Sequence, residues 1–134
     1  MMRILVTGGR HYDDRTEVRR VLNLIHHSVG ISCVIHGACH LGGADMLAQY
    51  WADDNKVHQY PVPVRSHQDG IWPAAGPRRN SRMLVEAAPI DYGIAFPGDR
   101  GTRDMIGKLR AAEIPVWETW HEPVPEIFIK ENVT

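Results

Sequence analysis

The sequence predicts an α/β domain built on a parallel sheet of about five strands. Three observations carry that reading. Short apolar runs alternate with segments of helical period along the whole chain. Most of those runs end in a glycine or proline–glycine turn. The chain has 134 residues, which is enough for one core of ordinary size without disulfide staples. Strand, turn and helix in repetition imply right-handed crossovers and parallel strands.

The first strand is Ile4-Leu5-Val6-Thr7, ending at Gly8-Gly9. From Asp14 to about Ser28, Val18, Val21, Leu22 and Ile25 recur at helical spacing and mark one buried face. Asp13 or Asp14 caps the start, with Glu17 following, and Gly30 stops the helix. The second strand is Ile31 to His36, ending at Gly37. Gly43 opens a second helix with Ala44, Leu47, Ala48 and Trp51 on one face. Val57 to Val64 is extended, and Pro61 and Pro63 place it at a sheet edge.

Arg65 to Gly76 shows no regular period, and Pro77 is expected to begin a helix running to about Ala87. Tyr92 to Phe96 is the fourth strand, Gly101 to Ala112 a helix, and Ile114 to Trp117 the fifth strand. Residues 1–118 read as the domain and 119–134 as a short C-terminal tail. In that tail Ile127-Phe128-Ile129 is expected to add an edge strand or to lie on a partner.

Hydrophobic residues make up 43% and charged residues 23% of the chain. Lys plus Arg number 15 against 16 Asp plus Glu, for a net charge of −1. That balance argues against a protein that grips nucleic acid mainly through phosphates. The chain shows no aromatic–basic stripe of the kind that binds single strands. No apolar run reaches the ~20 residues of a membrane span, so no membrane partner is expected. Cys33 and Cys39 do not make a disulfide framework. A reducing, cytoplasmic setting is the expectation.

Ligands of parallel α/β sheets bind beyond the carboxyl ends of the strands, where the strand order reverses. The glycines of this chain fall at that edge. Thr7-Gly8-Gly9-Arg10 follows the first strand, and glycine there lets backbone approach a phosphate. A tight strand–helix turn is the plainer alternative. The full dinucleotide fingerprint and the P-loop are both absent. His36, Cys39 and His40 lack a fourth ligand at a standard spacing, so no metal and no cofactor are expected.

In the next turn, Gly37, Gly43 and Asp45 form a second candidate set, with Asp45 in the first turn of its helix. Arg79 and Asn80 follow Gly76-Pro77 at the end of the irregular stretch, where a guanidinium fork suits phosphate. Pro97-Gly98-Asp99-Arg100-Gly101-Thr102 follows the fourth strand, and Thr102 can offer a hydroxyl.

Taken together, Ile4 to Arg10, His36-Gly37-Ala38, Gly43-Ala44-Asp45, Gly76-Pro77 with Arg79, Asn80, Arg82 and Met83, and Ala95 to Gly98 with Gly101-Thr102 resemble one group. The set resembles the SLOG superfamily, and within it the small YspA-like, cpYpsA-related branch. The resemblance covers roughly residues 3–117. It implies a Rossmann-like, doubly wound parallel sheet in a single domain. It also implies a nucleotide or nucleotide-derived small molecule at the glycine turns, and a homo-oligomer.

Relatives in the superfamily include the LOG enzymes, which cleave the N-glycosidic bond of a nucleoside monophosphate, and the DNA-processing protein DprA. LOG enzymes carry Pro-Gly-Gly-x-Gly-Thr-x-x-Glu with a catalytic Glu. Here Asp99 replaces the second glycine and Met105 stands in place of the Glu. Asp104 and Asp99 are the remaining carboxylate candidates for catalysis. Binding by a sensor or sequestering protein is therefore the first expectation. A LOG-like hydrolase is the alternative, and single-stranded nucleic acid binding the third. The abundance of tryptophan (Trp51, Trp72, Trp117 and Trp120) adds to the expectation of a homo-oligomer.

Overall fold

The computed structural model describes residues 1–129. Five strands form one fully parallel sheet: β1 (Met2–Thr7), β2 (Ile31–His36), β3 (His58–Pro61), β4 (Tyr92–Ala95) and β5 (Val116–Glu118). Their spatial order is β3-β2-β1-β4-β5. After β3 the chain crosses to the other side of β1, so the order reverses between β1 and β4. Five helices connect them: α1 (Arg15–Ser28), α2 (Gly43–Asp54), the single turn α3 (Ser66–Asp69), α4 (Ala75–Glu86) and α5 (Arg100–Ala111). This is a Rossmann-like α/β domain, as the sequence predicts.

The two-residue period of the strands sorts the core into two layers. Ile4, Val6, Val34, Ile94 and Phe96 face one way and meet α1 and α2 through Val18, Val21, Leu22, Ile25, Ala48 and Trp51. Leu5, Cys33 and Ile35 face the other way and meet α4 and α5 through Met83, Ala87, Met105 and Leu109. A sheet covered on both faces needs strands with continuous apolar centres, and β1 (Ile4-Leu5-Val6) and β2 (Cys33-Val34-Ile35) have them. The edge strand β3 carries Pro61 where the missing N–H faces away from β2, and the next amide, of Val62, donates to the His36 carbonyl at 2.8 Å.

Several boundaries differ from expectation: β3 covers only His58–Pro61 of the extended stretch, and β5 runs Val116–Glu118 rather than from Ile114 to Trp117. The irregular stretch after Arg65 contains α3, and α4 starts at Ala75 rather than Pro77. Pro77 therefore sits inside the first turn, where a missing N–H costs nothing. The Ile127-Phe128-Ile129 run forms no edge strand. Residues Glu126–Phe128 make one 3-10 turn. Phe128 is fully buried, with its ring centroid 4.8 Å from that of Tyr92 and 6.1 Å from that of Trp117. Trp51 and Trp117 are also core residues, each 2% exposed. They cannot serve as interface groups, so only Trp72 and Trp120 remain from that argument for assembly. No helix among the described residues is long and apolar enough to cross a membrane.

Candidate functional site

The crevice forms where the β1 and β4 turns meet. The Phe96 amide donates to the Thr7 carbonyl at 2.9 Å, and the Gly9 amide donates to the Pro97 carbonyl at 2.9 Å. The two turns thus continue the sheet's pairing past its last residues. They approach so closely that only glycine fits. A Cβ on Gly98 would run into the Thr102 hydroxyl and lie 2.6 Å from the Gly9 nitrogen. A Cβ on Gly9 would lie 3.1 Å from the Pro97 oxygen. On the other side, Gly43 has φ +81° and a Cβ there would lie 2.5 Å from the Arg10 Cα. The Ala44 amide donates to the Gly9 carbonyl at 3.1 Å. Gly8, Gly9, Gly43, Pro97, Gly98 and Thr102 are therefore brought together at the switch point, and their first duty is to let three turns touch.

The helix starts differ in what they leave open. Asp14 caps α1 by accepting from the Glu17 amide at 3.0 Å. That helix begins only at Arg15, well past Gly9, so its amides are not the donors expected beside the first glycine turn. Among the described residues, no side chain caps the starts of α2, α4 or α5. The α5 start lies directly after Gly98-Asp99, and Gly101 has open space where a Cβ would point. First-turn amides and a positive dipole end next to open space suit an anion.

Arg79 reaches across from α4 to the end of β2. Its Nη1 donates to the Gly37 carbonyl at 2.8 Å and the Val62 carbonyl at 3.1 Å, and its Nε donates to Asn80 Oδ1 at 3.1 Å. Only the Nη2 donors remain without a partner among the described residues. Burial pulls the Arg79 guanidinium down from its ordinary value, against the favourable pull of Asp45. Burial likewise pushes the Asp45 carboxyl up, opposed by the charges of Arg79 and His36 and by the amides of Cys39 and Gly37. The two side chains flank Gly37: a Cβ there would lie 2.5 Å from Arg79 Nη1 and 2.8 Å from Asp45 Oδ2.

Asn80 is 4% exposed and its amide is fully engaged. Its Nδ2 donates to the Gly101 carbonyl at 3.3 Å and to Asp104 Oδ2 at 3.0 Å. Lys108 Nζ in turn holds Asp104 Oδ2 at 2.6 Å and the Pro77 carbonyl at 2.9 Å. Asn80 and Asp104 are therefore braces between α4 and α5, and neither offers a free group to a sugar. Asp99 is exposed in the β4 turn. Met105 is 1% exposed, packed in the layer with Leu5, Ile35 and Met83.

Arg10 is exposed and forms no ion pair among the described residues. Its Cζ lies 5.6 Å from the centroid of the Trp72 ring. Two residues on in the chain, Tyr12 stacks on Phe96 with centroids 5.5 Å apart. Burial, then the charges of Asp14 and Glu17, push the Tyr12 hydroxyl up to about 12. Sequence reasoning passed over Asp69, which fastens the loop entering α4. Its carboxylate accepts from Arg82 Nε at 3.0 Å, from Arg82 Nη2 at 2.8 Å and from the Arg65 amide at 2.8 Å. The only local signal was the pairing of a lone acid in an irregular stretch with a run of arginines.

A parallel sheet in this order, with open helix starts and glycine turns at its switch point, defines the chain as a Rossmann-like domain. The chain belongs to the YspA, cpYpsA-related SLOG family, whose model matches residues 2–68. That span holds Gly8, Gly9, Gly37, Gly43 and Asp45 and ends before Arg79 and Gly98. The chain is 36% identical over 122 residues to the gene 61 protein of Mycobacterium phage D29, covering 87% of this chain and 94% of that protein. Its fold is similar to that of the C-terminal domain of a hydrogenase from Pyrococcus furiosus. The TM-score is 0.52 at 15% identity, over 87% of this chain and 89% of that one. At that identity the likeness concerns the fold alone.

Proposed function

We propose that the protein binds a nucleotide or a nucleotide-derived small molecule, and does so as a sensor or sequestering protein. The observation that carries this is the α5 start. It pairs an uncapped first turn with open space at Gly101, beside the contact between Gly9 and Pro97. A phosphate would rest on the Gly98–Thr102 turn, with the Nη2 donors of Arg79 and the Arg10 guanidinium as cationic neighbours. The sugar would lie toward Gly37 and Asp45.

Turnover of the LOG kind needs a carboxylate free to act at the sugar. Met105 lies in the core, and Asp104 is spent on Lys108 and Asn80. Both observations favour binding over cleavage.

The test compares thermal unfolding of the wild type and Gly101→Asp in the presence of AMP, cyclic nucleotides, NAD and ADP-ribose. The substitution suits the first turn of a helix and meets no atom, so the fold is retained. It places a negative charge where the phosphate would sit. Stabilisation of the wild type that disappears in Gly101→Asp is the expected result. Equal stabilisation of both proteins would move the phosphate elsewhere, and none in either would remove the nucleotide reading.

A further inference from the structure

We propose that Trp72 is the platform on which the base of the bound nucleotide stacks, which names an aromatic base as part of the ligand. This inference rests on the phosphate reading above and adds to it a second subsite.

Trp72 lies in the stretch between α3 and α4 and is 59% exposed. Leaving an indole in water forgoes a large apolar gain, so an exposed one held in place invites a partner. Its position is held from two sides. Gly76, buried in the first turn of α4, makes room for the six-membered ring: a Cβ there would lie 3.0 Å from Cζ3. Glycine in a helix costs about 1 kcal/mol relative to alanine, and here it seats the ring. Arg10 lies over the ring with Cζ 5.6 Å from its centroid. The loop carrying Trp72 is itself pinned, because Asp69 ties Arg65 to Arg82 just before it.

Arg10 gives the ring its relation to the crevice. It directly follows Gly9, whose amide contacts Pro97 at the switch point. One residue therefore links the indole to the turn proposed to face phosphate. A planar base has the shape and apolar faces to take the place of the guanidinium above the indole. Stacking of a base on an aromatic ring is strong and depends little on which base it is. Displaced from the ring, Arg10 would be free to turn toward the phosphate of the same ligand. Ile71, next to Trp72 in the chain, is 80% exposed and adds an apolar side chain beside it.

Isothermal titration of AMP, UMP and ribose 5-phosphate into wild type, Trp72→Phe and Trp72→Ala tests the assignment. Wild type should bind both AMP and UMP more tightly than ribose 5-phosphate. Trp72→Ala should lose about tenfold or more in affinity for AMP, with ribose 5-phosphate unchanged. Trp72→Phe should keep most of the AMP affinity, and its circular dichroism should match wild type. If Trp72→Ala binds AMP as the wild type does, or if ribose 5-phosphate binds wild type as tightly as AMP, the stacking platform is overturned while the phosphate site stands. If wild type binds none of the three, the phosphate reading falls and the platform with it.

Discussion

Arg79 and Gly37 share one small space at the end of β2. The guanidinium Nη1 donates to the Gly37 carbonyl at 2.8 Å, and a Cβ on Gly37 would lie 2.5 Å from that same nitrogen. The glycine is required by the arginine, and the arginine is a strap as well as a cation. Its second acceptor, the Val62 carbonyl, lies beyond β3, so one side chain ties α4 to the ends of two strands.

Removal of that strap should cost stability. From sequence, Arg79 reads only as a guanidinium fork suited to phosphate, and the geometry adds a structural duty. Arg79→Ala is expected to lower stability by about 2 kcal/mol, the range for hydrogen bonds to a charged group. Urea unfolding followed by tryptophan fluorescence measures it. An unchanged midpoint would show that water replaces the guanidinium at both carbonyls without loss.

The pair Asp69–Arg82 makes stability depend on acid. The two-point contact with Arg82, then the Arg65 amide, holds the Asp69 carboxyl down at about 2, against 3.8 for a free Asp. A group with a lowered folded pKa stabilises fully above its unfolded value and loses that contribution as pH falls through the folded one. The contribution, about 2 kcal/mol from the size of the shift, should be intact at pH 5. It should fade between about pH 4 and pH 2. Asp69→Asn should therefore be less stable than wild type at neutral pH, and the gap should narrow below pH 3. Chemical denaturation of both proteins across that range reads the difference, and a gap independent of pH would sink the assignment.

What the sequence disclosed and what it hid divide along one physical line. Val18, Val21, Leu22 and Ile25 announce their helix face because helical period is written within a single element, and all four are buried. The apolar runs of β1 and β2 and the edge prolines of β3 are legible for the same reason. So are the glycines of the switch point, since a tight turn must be spelled locally. Contacts between elements leave no such mark. Nothing near Asn80 says that α5 will use both of its amide donors, and nothing near Asp104 says that Lys108 and Asn80 will hold it. Trp51 can be buried against α1 with its indole N–H satisfied because Asn23, far away in sequence, accepts from it at 2.8 Å. Phe128 follows a proline-rich segment that hides its return to the core. The glycine turns could thus be read from residues, while the bracing contacts of Arg79, Asn80 and Asp104 required the fold.

Met105 offers a test of whether the LOG-type carboxylate could simply be restored. The side chain is buried against Leu5, Ile35 and Met83, with no polar partner there for an acid. Met105→Glu should therefore lower the melting temperature by about 10 °C, from roughly 3 kcal/mol for a buried unpaired carboxyl. It should release no free base from AMP. Differential scanning calorimetry and chromatography of an overnight reaction report the two halves. Base release by the variant would mean that the α5 start can rotate to present this position to a sugar.

Phe128 decides whether the residues after β5 are an appendage or part of the domain. Its ring is fully buried between Tyr92 and Trp117, and the turn that carries it begins after Pro125. Tyr92 opens β4 and Trp117 lies in β5, so the aromatic cluster covers the layer of the core formed with α1. Truncating a buried phenylalanine removes its transfer energy and leaves a cavity that the sheet beneath cannot close. Phe128→Ala should cost about 3–5 kcal/mol, which is a large part of the stability of a domain this size. Phe128→Leu, which keeps most of the volume, should cost about 1 kcal/mol. Guanidinium unfolding of the two variants measures both. The crevice proposed to hold the nucleotide lies at the far ends of β1 and β4, so any nucleotide affinity of the wild type should be kept in Phe128→Leu under folding conditions. An alanine variant as stable as wild type would show that the segment merely rests on the domain and leaves Tyr92 and Trp117 packed without it.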